Sequence, residues 1–117
     1  MSLAELKDRL ATIAGNIITV PINRASAGDG TAVQVIQPGQ FFSVYGFWLQ
    51  AADVVSMTWK SGGTSLTGVI PLSPGQVITV FDNVPILKGR SSGDDLFLNL
   101  SGAVSVQGWV NLTISKV

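Results

Sequence analysis

The chain has 117 residues, with no cysteine and no histidine, and its seven basic and seven acidic residues cancel to a formal net charge of zero. This length suits one domain, and the missing residue types exclude disulfides, thiolate ligands and imidazole-based catalysis. Charged residues make up 12% of the chain, about half the ~25% of an average soluble domain, which favours association between subunits and argues against a nucleic-acid partner.

Residues 1–16 carry the signals of a short α-helix. Ser2 followed by Glu5 fits a capping box, in which each side chain bonds the other's free backbone amide. The large apolar residues of the segment recur at helical spacing and define one face: Leu3, Leu6, Leu10 and Ile13. We therefore predict an N-terminal helical arm over 1–16. Its stripe packs either on its own domain or against a partner, and we expect it to be an attachment element.

From residue 17 onward the apolar residues alternate with polar ones, which predicts a β-domain over 17–117. The runs between turn signals are Ile17–Ile22, Ala32–Ile36, Phe41–Leu49, Val54–Lys60, Leu66–Ile70, Val77–Phe81, and two C-terminal strands that carry Leu96 to Leu100 and Val104 to Ile114. Pro38-Gly39 and Pro74-Gly75 are turn pairs, and Ser61-Gly62-Gly63-Thr64 is a hairpin signal. About eight short strands predict a mainly β fold, an antiparallel β-sandwich or jelly roll, with a Greek-key barrel as the alternative.

The run Phe41–Leu49 is apolar on both faces if it is a regular strand. One face would carry Phe42, Val44 and Trp48, and the other Phe41, Tyr45, Phe47 and Leu49. A sandwich core covers one face of a strand, so the second face must meet the helix, a loop or another subunit. We therefore expect a homo-oligomer, with a trimer favoured.

The period-two phase also predicts the core. The residues expected to be buried are Val55, Met57, Trp59, Leu96, Leu98, Val106, Val110, Leu112 and Ile114. Trp109 stands instead on a polar face. It is either a subunit-contact anchor, a core or edge packing residue, or a platform on which a ligand stacks, and large aromatic side chains are the usual anchors of protein interfaces.

No set of residues indicates catalysis, so we expect no enzyme, no cofactor and no metal site. The acids of the β-region are aspartates at turns, where their local hydrogen bonding explains them. Asp94-Asp95, with Asp29 or Asp82, could bind calcium, but the spacing of a calcium loop is missing and a solvated loop is the simpler interpretation.

A mean hydropathy of +0.43 is high for a soluble chain. No apolar run approaches the ~20 residues that span a bilayer, because glycine and charged residues interrupt each one. The first fifteen residues also lack the basic start and long apolar centre of a signal peptide. We therefore expect no membrane partner.

Two stretches resemble small β-proteins encoded among the virion genes of tailed bacteriophages. The first is Leu49–Ala52 leading to Met57–Gly68, and the second runs from Gly93–Asp95 through Leu96–Gly108. The resemblance covers about two-thirds of the chain and consists of strand and turn texture. It implies a jelly-roll-like fold, frequent trimers, and a role as a capsid decoration (cement) protein or as part of a fibre or spike.

The sequence therefore predicts a virion structural protein that decorates and stabilises a phage head, with the major capsid protein or another virion protein as its partner. A component of a tail fibre, head fibre or baseplate is the alternative within this class. A carbohydrate-binding module that uses Trp109 and the Asp94-Asp95 loop is the rival from another class. The candidate interface residues are Leu3, Leu6, Leu10, Ile13, Phe41, Tyr45, Phe47 and Trp109.

Overall fold

The computed structural model describes residues 17–116, and the regular structure within this range is entirely β. Nine strands form two antiparallel sheets. Their bounds are β1 Ile18–Arg24, β2 Gln40–Ala51, β3 Val55–Ser61, β4 Thr64–Ser65, β5 Ile70–Leu72, β6 Val77–Phe81, β7 Leu87–Lys88, β8 Leu96–Leu100 and β9 Val106–Lys116. Residues 17–116 contain no helix that could span a bilayer. The predicted helical arm, with Leu3, Leu6, Leu10 and Ile13, lies outside the described residues.

The order of the strands is that of a jelly roll. The five-stranded sheet runs β1-β9-β2-β6, with β7 also paired to β2, so the first and last strands are neighbours. In the four-stranded sheet β3 pairs with β8 on one side and with β4 and β5 on the other. Isolated bridges Gly28↔Leu100 and Gln34↔Leu96 place the segment after β1 beside β8, where a jelly roll has its second strand. The predicted fold class is confirmed.

The two sheets pack face to face around one apolar core. Phe47 of β2 and Trp59 of β3 meet across it, with ring centroids 5.3 Å apart and planes tilted by 52°. The predicted core residues are buried, except that Ile114 is partly buried against the cluster. The period-two interpretation of these strands is thereby confirmed.

Strand β2 corrects the prediction of a run that is apolar on both faces. Its register against β9 shifts between Val44 and Gly46, which leaves Tyr45 as an extra residue in a β-bulge. Because the bulge inverts the alternation, Phe42 and Val44 before it and Phe47 and Leu49 after it all point into the same core. The predicted division of Phe41–Leu49 into two apolar faces is wrong for this physical reason.

Two strand predictions were also inaccurate. Ala32–Ile36 forms no strand, although Gln34 makes an isolated bridge with Leu96 of β8. Leu66–Ile70 is mostly a loop, with the short strands β4 and β5 on either side of it. The glycine hairpin itself is confirmed, since Ser61 pairs with Thr64 and Gly62 has a positive φ of 55°. Both Pro-Gly turns form as well, closed by Gln40 N–H to Gln37 O and by Gln76 N–H to Ser73 O, each at 3.0 Å.

Candidate interaction surface

The outer face of the five-stranded sheet, the side turned away from the core, carries several large apolar side chains. Alternation along β2, β6 and β9 places Trp48, Phe81 and Trp109 on this face, since their neighbours in sequence point into the core. The remaining positions are mostly neutral and polar, among them Asn111 and Thr113. A sheet face with aromatic residues among uncharged polar ones is typical of a protein contact surface.

Trp48 and Trp109 lie directly opposite each other on neighbouring strands. On its other side Trp109 is opposite Pro21 of the edge strand β1. Gly108, beside Trp109, passes so close to the backbone of Trp48 that a Cβ atom there would overlap the carbonyl oxygen. The glycine thus lets the backbones of β9 and β2 approach closely beside the two tryptophans. We call Trp48 and Trp109 the tryptophan pair.

Phe81 extends this apolar surface to the end of β6. Its side chain is 64% exposed, although it is a large aromatic group. A Cβ atom on Gly46, its cross-strand partner, would lie 3.0 Å from Phe81 Cδ2 and 2.6 Å from Val80 O. The glycine thus lets the phenylalanine ring and the backbone of β6 approach β2 closely.

The structure places the predicted interface residues of β2 and β9 in different environments. Trp109 lies on the outer face as expected and joins Trp48. Phe41 is on the same face, opposite Ser115, but seven positions before Trp48 along β2. Tyr45 is 8% exposed at the bulge and Phe47 is 4% exposed in the core, so neither side chain is available on the surface of this subunit. Sequence periodicity could not show this, because it assumes that a strand is regular.

Asp29 is the centre of a polar cluster that the sequence did not reveal. Its Oδ1 accepts hydrogen bonds from Asn99 Nδ2 at 2.6 Å and Lys60 Nζ at 3.1 Å, and its Oδ2 is 3.0 Å from Lys60 Nζ. The bond from Asn99, then that from Lys60, lowers the pKa of the Asp29 carboxyl. The cluster ties the loop after β1 to β3 and β8.

Arg24, at the end of β1, holds the same loop through main-chain carbonyls. Its Nη1 donates to Asp29 O at 3.0 Å and to Leu98 O, and its Nη2 donates to Gly28 O at 3.0 Å and Ser26 O at 3.1 Å. Burial lowers the pKa of this guanidinium, while the charge of Asp29 opposes that shift. Five rigid donors suit an arginine to this role, and an isolated arginine in the sequence gave no signal of it.

The aspartates considered for calcium are each engaged by other groups. Asp94 Oδ2 accepts from Ser61 Oγ at 3.0 Å, Asp95 Oδ1 from Ile36 N at 2.8 Å, and Asp82 Oδ1 from Asn83 N at 2.7 Å. The Asp29 carboxylate accepts hydrogen bonds from Lys60 and Asn99. Within residues 17–116 no three acidic side chains converge on a common point.

Trp109 and the Asp94-Asp95 loop do not form one site. Gly93, next to this loop, donates from its N–H to Gln40 O at the start of β2. Trp109 lies opposite Trp48, which is eight residues beyond Gln40 along β2. At ~3.3 Å per residue this separation is about 25 Å. A single sugar ring cannot stack on Trp109 and bond to Asp94 over this distance.

The comparisons with known proteins concern the fold. No protein-family model and no curated protein matches the sequence. A solved structure from Bacillus endospore appendages, described as a novel family of disulfide-linked pili, is similar to this chain with a TM-score of 0.51 at 12% identity. The match covers 86% of this chain and 87% of that one. At this identity the likeness supports the shared β architecture, and these 117 residues hold no cysteine for a disulfide link.

Proposed function

We propose that this protein is a non-enzymatic structural subunit that works by assembling, and that its setting is a phage virion, where it decorates the capsid. The single observation that carries the assembly role is the tryptophan pair with Phe81 on the outer face of the five-stranded sheet. These side chains are held on a rigid sheet and surrounded by neutral polar groups, which suits them to anchor a protein contact. The virion setting comes from the sequence resemblance to small β-proteins encoded among the virion genes of tailed bacteriophages.

The mechanism of the proposed function is adhesion. A chain with only seven charges of each sign meets little electrostatic cost when its surface is desolvated, and its aromatic side chains supply the apolar area. The apolar stripe predicted in residues 1–16 is the second attachment element in this proposal, because that segment joins the domain at the edge strand β1. Trimers are frequent among the proteins that the sequence resembles, and the mass of the full chain in solution tests that copy number.

A fibre, spike or baseplate component is the alternative within the same class. The solved structure of similar fold is itself a pilus subunit, so an appendage built from such sandwiches is a reasonable second candidate. A filament of this chain would need noncovalent contacts between copies, since it has no cysteine. Electron microscopy of the native particle separates the two, by locating the protein on the head or on an appendage.

The rival proposal is a carbohydrate-binding module. The separation of Trp109 from the Asp94-Asp95 loop removes the site that was expected for it, and the tryptophan pair remains as a possible stacking platform. A glycan array decides between the classes. A cement protein binds no sugar on the array, whereas reproducible binding that Trp109→Ala abolishes would favour the module.

Incorporation into particles tests the proposed function directly. We expect Trp109→Ala and Leu6→Ser each to reduce copies per particle at least about tenfold, as the loss of an anchor residue does at an interface. Thr113→Ala is the matched control for the first, because Thr113 lies on the same face of the same strand. Melting temperatures show whether each variant stays folded. Normal incorporation of folded Trp109→Ala and Leu6→Ser proteins would contradict the proposal.

A further inference from the structure

The four outer edges of the two sheets differ in how their exposed backbone groups are blocked. An exposed edge presents unpaired N–H and C=O groups, and natural sheets block such edges with proline, charge, shortness or a covering loop. Three edges here have such devices. Strand β5 is three residues long with Pro71 in its middle, and its neighbour β4 has two residues.

Strand β8 is covered by the loop after β1. Leu100 exchanges two backbone hydrogen bonds with Gly28, and Leu96 N–H donates to Gln34 O at 3.0 Å while its carbonyl accepts from Val33 N–H at 2.8 Å. Arg24 Nη1 bonds the carbonyl of Leu98 between them. The outward amides and carbonyls of Leu96 and Leu100 and the carbonyl of Leu98 are thus bonded within the chain.

Strand β1 is blocked by Pro21 at its centre. The register pairs Pro21 with Trp109, and the alternation of antiparallel bonding across β6, β2 and β9 turns the missing N–H toward the free edge. The strand also ends at the charged Arg24. A second chain that paired with β1 would find no backbone N–H donor at the centre of the strand.

Strand β6 alone among these edges has none of the devices. Its sequence, Val-Ile-Thr-Val-Phe, contains no proline and no charge, and its free side pairs with no strand of residues 17–116. Three of its apolar side chains are exposed, Val77 by 43%, Val80 by 38% and Phe81 by 64%. The undescribed residues 1–16 join the fold at β1, three strands away across the sheet.

We propose that β6 pairs with β6 of a second copy of this chain, antiparallel and about a two-fold axis, so that two five-stranded sheets become continuous. This inference rests on the part of the proposed function in which copies associate, and a two-fold contact of this kind gives a dimer in place of the trimer that the resemblance implies. Asp82 N–H donates to Tyr45 O, so alternation along β6 turns the backbone groups of Val77, Thr79 and Phe81 toward the free edge. Pairing centred on Thr79 then joins these groups by about six hydrogen bonds.

The side chains fit this pairing. Val77 of one copy lies opposite Phe81 of the other, an aromatic and β-branched pair of the kind that stabilises sheets. On the inner side Ile78 falls opposite Val80, which covers the exposed part of Val80. Beyond the strand, Asp82 falls opposite Gln76, so no like charges meet. A two-fold contact is self-complementary by symmetry, and the neutral edge permits it.

Thr79 is the residue that tests the axis, because it lies opposite its own copy and is exposed in the single subunit. We expect Thr79→Lys and Thr79→Glu, as full-length proteins, each to weaken association at least about tenfold, since like charges meet at the centre of the contact. An equimolar mixture of the two variants should restore it, because opposite charges then meet. Asn23→Lys on the β1 edge is the matched control and should associate as the unaltered chain does.

Light scattering and native mass spectrometry at micromolar concentration provide the measurement, with circular dichroism to confirm folding. Unchanged association of folded Thr79→Lys, a mixture that restores nothing, or equal loss in Asn23→Lys would each overturn the β6 pairing. A trimer unaffected by Thr79→Lys would overturn it and leave the proposed function intact. A strictly monomeric chain with no contact between copies in the particle would overturn both. Pairing in solution by a chain that is absent from the particle would overturn only the proposed function.

Discussion

The edges at β8 and β6 show two ways in which one small sandwich treats exposed backbone. At β8 a charged side chain, Arg24, and a covering loop occupy the outward carbonyls and amides. Strand β6 carries no charged residue, and its free side pairs with no strand of residues 17–116. Its valine and phenylalanine side chains are exposed. Because both edges belong to the same core, the difference concerns what each edge meets outside the chain. The β8 edge is closed by the fold, and the β6 edge is the one that we propose to pair with a second copy.

The largest effect that separates the two edges should come from a core residue of β8 itself. Leu98→Ala removes a fully buried side chain and should lower the free energy of unfolding by about 2–5 kcal/mol. Val80→Ala at the 38% exposed position of β6 should cost less than about 1 kcal/mol in the dissociated subunit. Urea titration at nanomolar concentration compares the two. Equal costs would show that β6 is buried more deeply than the structure has it.

Loss of the hydrogen bonds that Arg24 donates to main-chain carbonyls should have the next largest effect. Arg24→Ala leaves the carbonyls of Leu98, Gly28 and Asp29 without their charged donor, which should destabilise the fold by about 2–3 kcal/mol. Arg24→Lys should recover part of this loss, because an ammonium group donates to fewer of these carbonyls at once.

The variant should also change the edge itself. With the loop after β1 loosened, the amide of Leu100 that bonds Gly28 should exchange with solvent faster. The β6 edge, on the other sheet, should be unaffected. A stable Arg24→Ala protein with unchanged exchange at Leu100 would show that the loop covers β8 without the arginine.

The smallest effect should be the acid sensitivity of the cluster at Asp29. The pKa of this carboxyl is lowered in the folded chain, so the unfolded chain binds more protons at acid pH. The contribution is therefore present above the unfolded pKa of about 3.9 and is lost as the pH falls through it toward the folded value. Asp29 is 37% exposed, so the contribution should be under about 1 kcal/mol.

Asp29→Asn provides the comparison for this prediction. Its melting temperature should fall less than that of the unaltered chain between pH 5 and pH 2, because the substituted residue does not titrate. Parallel slopes for the two proteins would contradict the assigned role of the carboxylate.

The sequence predicted those features that depend on regular alternation and turn chemistry. Met57, Trp59, Leu98 and Leu112 were correctly placed in the core, and the Pro-Gly turns formed as expected. Strand β2 was misinterpreted because a bulge at Tyr45 changes the phase without any strong local signal, although the shift of apolar positions around Gly46 was a clue.

The hydrogen bonds of Arg24 and Asp29 and the free edge at β6 could not be predicted from the sequence. The bonds from Arg24 to Leu98 and from Asn99 to Asp29 join residues about seventy positions apart, and their geometry exists only in the folded chain. Likewise, Val77–Phe81 was predicted as a strand, but its position at the edge of a sheet depends on the pairing order. Trp109 was assigned correctly to a polar face, while its partner Trp48 was not recognised.

Amide hydrogen exchange at the two edges of the five-stranded sheet tests the central claim most directly. In the assembled protein the amides of Val77, Thr79 and Phe81 should be strongly protected, whereas those of Thr19 and Asn23, which face outward on β1, should exchange rapidly. Dilution below the association midpoint, or Thr79→Lys, should remove the protection on β6 and leave β1 unchanged. Rapid exchange of the β6 amides in an assembled particle would contradict the claim that this edge joins two copies.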